Sequence, residues 1–238
     1  MKICIIGNSH IAALKMAWDT GIEKQFPNIE PVFFGARGRL LNDLVVKNGL
    51  LAPGSKDLAK SFVLTSRGQR YIDPALFDVF LIYGFGAEIT KVLKKKSGAA
   101  SKGVNAKMIV NYWETSGMLQ VSRQIRAVTQ KPVYCGLAPL VAQKKSTRRI
   151  KVYDRFVRRS NKAVFHPERF ALVAQPPQTL TKRCATRKKF SAGSTRLKVD
   201  KKAKQRHPKR DALHMNARYG AIWLRCFLKS IAAKTVQT

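Results

Sequence analysis

Apolar residues in this chain fall into short runs closed by turn residues, and the runs alternate with longer stretches of helical period. Residues 2–7 are apolar and β-branched and close on Gly7, the pattern of a short, fully buried strand. From residue 11 to about 23, Leu14, Trp18 and Ile22 recur at helical spacing, with Ser9 standing where a cap residue sits. Residues 31–35 read as a second strand ending on Gly35, and 79–83 as a third leading into Gly84-Phe85-Gly86. A fourth spans 132–135, and a fifth spans 170–174, stopped by Pro176-Pro177. Between them, 108–129 reads as one long helix despite Gly117, and 148–162 as another. A closing helix over 215–231 would bury Tyr219, Ile222, Trp223, Cys226 and Phe227. The stretch 36–78 offers only loop markers around short elements: Gly38, Gly49, Pro53-Gly54 and Gly68.

Strands alternating with helices at this spacing predict parallel βαβ units in an α/β fold. The expected architecture is a single three-layer α/β/α domain over residues 1–238, flavodoxin-like, with a five-stranded parallel sheet. A chain of 238 residues buries roughly 70% of its unfolded surface and needs no disulfide or metal for stability. In doubly wound sheets the chemistry gathers at the carboxyl ends of the strands. Ser9, Gly35 and Gly84 each follow a strand directly.

Charge changes the picture. The chain holds 46 Lys and Arg against 13 Asp and Glu, a formal net charge of +33. Such a charge attracts polyanions, including nucleic acid, without implying sequence recognition. The cations fill polar positions nearly everywhere instead of gathering on one face. In 148–162 the stripe Ile150, Tyr153, Phe156 and Val157 is apolar and almost every other position is cationic. Natural helices normally mix signs, because like-charged neighbours one turn apart destabilise by ~0.2–0.5 kcal/mol each. Two accounts stand side by side: a surface engineered toward positive charge on an ordinary scaffold, or supercharged, and a natural polyanion-binding protein. The densest run lies in a cationic loop region, 178–210. The four cysteines, Cys4, Cys135, Cys184 and Cys226, show no ligand-like spacing and read as small core residues in a reducing compartment. With no secretory signal in the short N-terminal run and no stretch approaching 18 apolar residues, the expectation is a cytoplasmic protein without a membrane span.

The candidate chemistry sits at the two ends. Gly7-Asn8-Ser9-His10 puts a serine on a tight strand-to-helix turn, and Asp211-Ala-Leu-His214 puts an acid and an imidazole three residues apart. Serine is a poor nucleophile at neutral pH: it needs a base within hydrogen-bond reach, and the base needs a partner to fix its tautomer. Read alone, Ser9 is a helix cap, Asp211 a cap for the closing helix and His214 a packed histidine; together they are parts for acyl transfer. Arg37 and Arg39, beside Gly35 and Gly38, suit an anionic substrate group, although exposed loop arginines are common in this chain. His10 reads as structural with its ring turned elsewhere, and Trp113 and Glu114 as core packing at a helix start. His166-Pro167 and His207-Pro208 lack a partner at metal-ligand spacing, so neither metal nor cofactor is expected.

These blocks, with the ending His214-Met-Asn-x-x-Tyr219-Gly220, resemble the SGNH/GDSL hydrolase superfamily. That superfamily typically shows Gly-Asp-Ser after strand one, a Gly after strand two, Gly-x-Asn-Asp after strand three, and a late Asp-x-x-His. The resemblance implies Ser9 as nucleophile, His214 as general base and Asp211 as the residue that orients it. It also implies the N–H groups of Ser9 and Gly35 as oxyanion donors. Asn8, Arg37 and Gly86 complete the candidate oxyanion and substrate-binding set. Two positions depart from the pattern. Asn8 replaces Asp at a mainly structural position. Gly84-Phe85-Gly86-Ala87 replaces Gly-x-Asn-Asp, which removes a side-chain donor worth ~10²–10³ in rate in other acyl-transfer enzymes. Water, Asn111 or the Gly86 N–H are the available substitutes. The implied activity is hydrolysis of small acyl esters, including acetyl groups on carbohydrate. The alternative is a catalytically impaired scaffold that binds polyanions through its charge.

Overall fold

Short apolar runs became strands because each is covered on both faces. In a computed structural model, which describes residues 1–85, 102–142, 150–196 and 206–235, the strands in chain order are β1 (Lys2–Gly7), β2 (Glu30–Gly35), a hairpin of β3 (Leu44–Lys47) and β4 (Leu50–Pro53), then β5 (Val79–Phe85), β6 (Val133–Leu137) and β7 (Phe170–Val173). Five of them form one parallel sheet in the order β2-β1-β5-β6-β7. Alternate side chains leave opposite faces. Ile3, Ile5, Phe33 and Leu81 face one apolar layer; Cys4, Ile6, Phe34 and Ile82 face the other.

The first layer is closed by α1 (Ile11–Ala17) and by a long C-terminal helix, Ala217–Thr235. The second is closed by α2 (Lys56–Thr65), α3 (Lys102–Glu114), α4 (Gly117–Val128) and α5 (Ile150–Ser160); the C-terminal helix is therefore α6. This is the expected three-layer α/β/α arrangement. The strand order reverses between β1 and β5, so the crevice of a doubly wound sheet opens at the carboxyl ends Gly7 and Phe85. Among the described residues no helix is long and apolar enough to cross a membrane.

Several expectations need correction. The single helix over 108–129 is two helices. Ser116 adopts an extended backbone and its Oγ accepts the Leu119 N–H at 3.2 Å, capping α4. Both helices pack on the same layer, so the apolar period runs through the break unmarked. Trp113 consequently ends a helix instead of starting one. It is fully buried, donating from Nε1 to Ser160 Oγ at 2.8 Å, and Glu114 binds Arg123 at the surface. The stretch 36–78 holds the β3–β4 hairpin and α2, which Ser55 caps through Leu58 N–H. Cys226 is exposed, because the buried face of α6 runs through Tyr219, Trp223, Leu224, Phe227, Leu228 and Ile231. The helix beginning at Ile11 passes into a π turn at Trp18–Ile22, where Gly21 has φ +141°.

The polar segment after β7 is fastened by a buried amide. Gln175 accepts from Leu140 N–H at 2.9 Å and donates to Thr179 and Thr186. On the opposite side α6 crosses α1 so closely that a Cβ at Gly220 would collide with the Ala13 carbonyl. Gly220→Val should therefore lower stability by ~1–3 kcal/mol, the usual cost of overpacking. Urea denaturation measures it, and an unchanged midpoint would show that α1 and α6 are free to part.

Candidate active site

The end of β1 is built for close approach. Gly7 sits against the Tyr83 carbonyl and Ile11, where no side chain fits. The next residue, Asn8, donates from Nδ2 to the Gly84 carbonyl at 2.8 Å and accepts the His10 N–H on Oδ1 at 3.1 Å. Gly84 has φ +94° and a Cβ there would strike Asn8 and His10. Asn8 thus ties the tip of β1 to the tip of β5. It is a brace, outside the residues that line the cleft, and not the substrate contact expected of it.

Ser9 is presented by this brace, and it does not cap α1. His10 holds the cap position without a side-chain bond. Instead Ser9 Oγ lies 3.0 Å from His214 Nε2. His214 Nδ1 lies 2.9 Å from Asp211 Oδ2, while the N–H groups of Leu213 and His214 donate to Asp211 Oδ1 at 2.8 and 2.9 Å. An ionised carboxylate only accepts, so Nδ1 of a neutral His214 carries the proton and Nε2 offers its lone pair to the Ser9 hydroxyl. Burial acts to raise the Asp211 pKa, but the three bonds outweigh it and hold the carboxyl at about 2. The turn that carries the pair is fixed from outside, since Ala142 N–H donates to the Ala212 carbonyl at 2.8 Å. Asp211 does not cap α6 either; Asn216 does, accepting Tyr219 N–H on Oδ1 at 3.2 Å.

Two imidazoles that sequence reasoning set aside flank His214. His10 stacks on it with centroids 5.0 Å apart, so its ring is not turned away from the site. Burial and then the charge of His214 push His10 from 6.5 down to about 3. His207 stacks at 3.9 Å and 7°, with Nδ1 3.2 Å from Asp211 Oδ2. Burial first, then His214, lowers its pKa, with Asp211 pulling the other way. The available signal was spacing: His207 precedes Asp211 by four residues, within reach on one helical turn. His207, Asp211 and His214 are also the described residues that could gather a cation. Both Nδ1 atoms lie against the same Asp211 Oδ2, at 3.2 and 2.9 Å, so the three side chains form a hydrogen-bonded group around that carboxylate.

Ser9, Arg37, Gly38, Arg196, His207, Pro208, Asp211 and His214 line an open cleft of about 440 Å³. Arg37 is thus among the cleft residues. The expected oxyanion donor Gly35 is not: it is buried beside Gly7 and gives its N–H to Thr65 Oγ1 at 2.9 Å. The glycine in the cleft is Gly38, with φ +58°. Asn111 is exposed on α3 and does not line the cleft. Gly86 lies outside the described residues.

No protein-family model matches the chain, and no curated protein matches it either. Among solved structures it is similar to a family two carbohydrate esterase from Clostridium thermocellum in complex with cellohexaose, at 12% identity and a TM-score of 0.42 over 98% of this chain. It is also similar to an active-site mutant of a family two carbohydrate esterase from the same organism, at 12% identity and a TM-score of 0.41 over 96% of this chain. The chain spans 64% and 63% of the length of those two chains.

His10 gives the fold a pH dependence with a definite sign. Its folded pKa lies below the ordinary value, so between pH 6.5 and about 3 the unfolded chain binds the extra proton and stability falls as pH falls. At ~1.4 kcal/mol per unit, about 3 kcal/mol should be lost between pH 7 and pH 4. Denaturant midpoints across that range should flatten in His10→Phe, leaving the smaller slope due to His207. An equally steep slope in the variant would remove His10 as the cause.

Proposed function

We propose that the protein is a serine ester hydrolase acting on small acyl esters, as one domain over residues 1–238. The observation that carries this reading is the relay from Ser9 Oγ through the His214 ring to Asp211, lying open to a cleft at the carboxyl end of β1. Ser9 Oγ attacks the acyl carbon while His214 Nε2 takes its proton, and Asp211 balances the imidazolium. His214 then returns the proton to the departing alcohol as the acyl C–O bond breaks. Water, deprotonated by the same nitrogen, hydrolyses the acyl-enzyme and restores the Ser9 hydroxyl. The N–H groups of Ser9 and Gly38, neither donated to a described residue, are the oxyanion donors of this scheme. Gly86 supplies no side-chain donor, so turnover should be slow by the ~10²–10³ that such a donor is worth. Acetylated carbohydrate is the substrate that the motif resemblance implies.

The net charge of +33 favours a second reading, a hydrolase-like scaffold that binds polyanions without useful catalysis. Its hallmark is affinity for nucleic acid that falls steeply with salt.

Hydrolysis of 4-nitrophenyl acetate separates the two readings. Ser9→Ala should lower the rate by at least ~10³-fold with an unchanged melting temperature; an active Ser9→Ala protein rejects the serine site. His207 tests the support of the relay. His207→Phe keeps a ring against His214 and removes Nδ1, and should cost about tenfold in kcat. His207→Asn returns a donor beside Asp211 and should recover part of that loss. Full activity in His207→Phe with a loss in His207→Asn would mean that the ring itself is what counts.

A further inference from the structure

Two arginines from distant parts of the chain meet at the cleft that holds Ser9. Among the described residues, Arg37 and Arg196 stand in its wall with Asp211 as the acid. The two arginines arrive by separate routes. Arg37 lies on the turn after β2, beside Gly38. Arg196 lies on a short ladder in which Thr195 bridges Arg206 and His207 N–H donates to the Ser194 carbonyl at 2.9 Å. The Arg196 charge is close enough to disfavour a proton on His207. Both side chains are exposed. A guanidinium carries five donors in a planar fork that matches a carboxylate or phosphate with two parallel bonds.

Resting on the hydrolase reading above, we propose that the cleft selects acyl esters whose alcohol portion carries a carboxylate or a phosphate, with Arg37 and Arg196 binding that anion. The anion takes no part in the bond changes. The acyl carbon's bond to the alcohol oxygen breaks, its bond to Ser9 Oγ forms, and the proton passes from Ser9 through His214 to the alcohol. The charge of the whole surface draws anions to every face, but that attraction is diffuse and screened by salt. A clamp differs because it depends on two particular residues.

A matched substrate pair tests this at 0.15 M salt, ~8 Å Debye length: 4-acetoxybenzoate against its neutral methyl ester, with 4-acetoxyphenyl phosphate as the phosphate arm. The quantity read is the ratio of kcat/KM for the anionic ester to that for the neutral one. The ratio should exceed one for the chain itself and fall about tenfold or more in R37Q and in R196Q, as loss of a charged hydrogen bond implies. It should hold in R155Q, which removes an exposed cation on α5. Preference for the benzoate or for the phosphate supports the clamp and names the anion. A ratio of one for both anions overturns it, as does an equal fall in R155Q, which would assign the effect to overall charge. If 4-nitrophenyl acetate and all three esters go unhydrolysed, the hydrolase reading itself fails and the clamp with it.

Discussion

Ser9 and His214 are 205 positions apart in the chain, and the crossing of α6 over α1 is what lets them share a hydrogen bond. That crossing needs a residue without a side chain at Gly220, since the Ala13 backbone fills the space. It also needs the start of α6 held still. Asn216 does this by capping the helix and by donating from Nδ2 to the Lys189 and Ala192 carbonyls. The Asp211–His214 turn then hangs between the helix start and the Ala142–Ala212 bond at the end of β6. On the serine side, the Asn8–Gly84 brace fixes the tip of β1 to its central neighbour. Ser9 is therefore tied to the sheet through the Asn8–Gly84 bond, and the Asp211–His214 turn to α6 and to the segment after β6.

The electrostatics follow from the same crowding. Three imidazoles are stacked in a row beside one carboxylate, and burial disfavours a proton on His10 and His207. His214 is thus faced on both sides by rings that favour the neutral form. Asp211, held at about 2 by its hydrogen bonds, remains an anion throughout the neutral range and fixes which His214 nitrogen bears the proton. A buried neutral histidine costs stability in acid, so the fold gives up acid tolerance to keep this row packed.

Much of this was legible in the sequence. Fully buried parallel strands read as apolar runs, and the boundaries of all five are legible to within two residues. The serine and the Asp-x-x-His turn were legible because each motif is local. The hairpin in 36–78 also had a signal: Asn48-Gly49, with φ of 50° and 75°, suits the tight turn joining β3 and β4. What was not legible depends on tertiary contact. Nothing local says that the Gly35 N–H is taken by Thr65, thirty residues away. Nothing local says that Gly38 and not Gly35 faces the cleft, or that Arg196 joins Arg37. Ser116 broke a helix whose apolar period was unbroken, because both halves pack on one layer.

The short ladder at Ser194, Thr195, Arg206 and His207 has a consequence beyond this one cleft. It delivers one wall of the site from a segment joined to the rest by a few backbone bonds, whereas the serine comes from the sheet itself. On the reading proposed above, one arm of the clamp, Arg196, thereby lies on a different segment from the nucleophile. On that reading, substitutions at Arg196 would redraw the accepted ligand while the sheet, the two helix layers and the turn that carries Ser9 stay in place. A lineage built on this plan can change its diet without rebuilding its machinery, and a designer wishing to retune it knows where to cut.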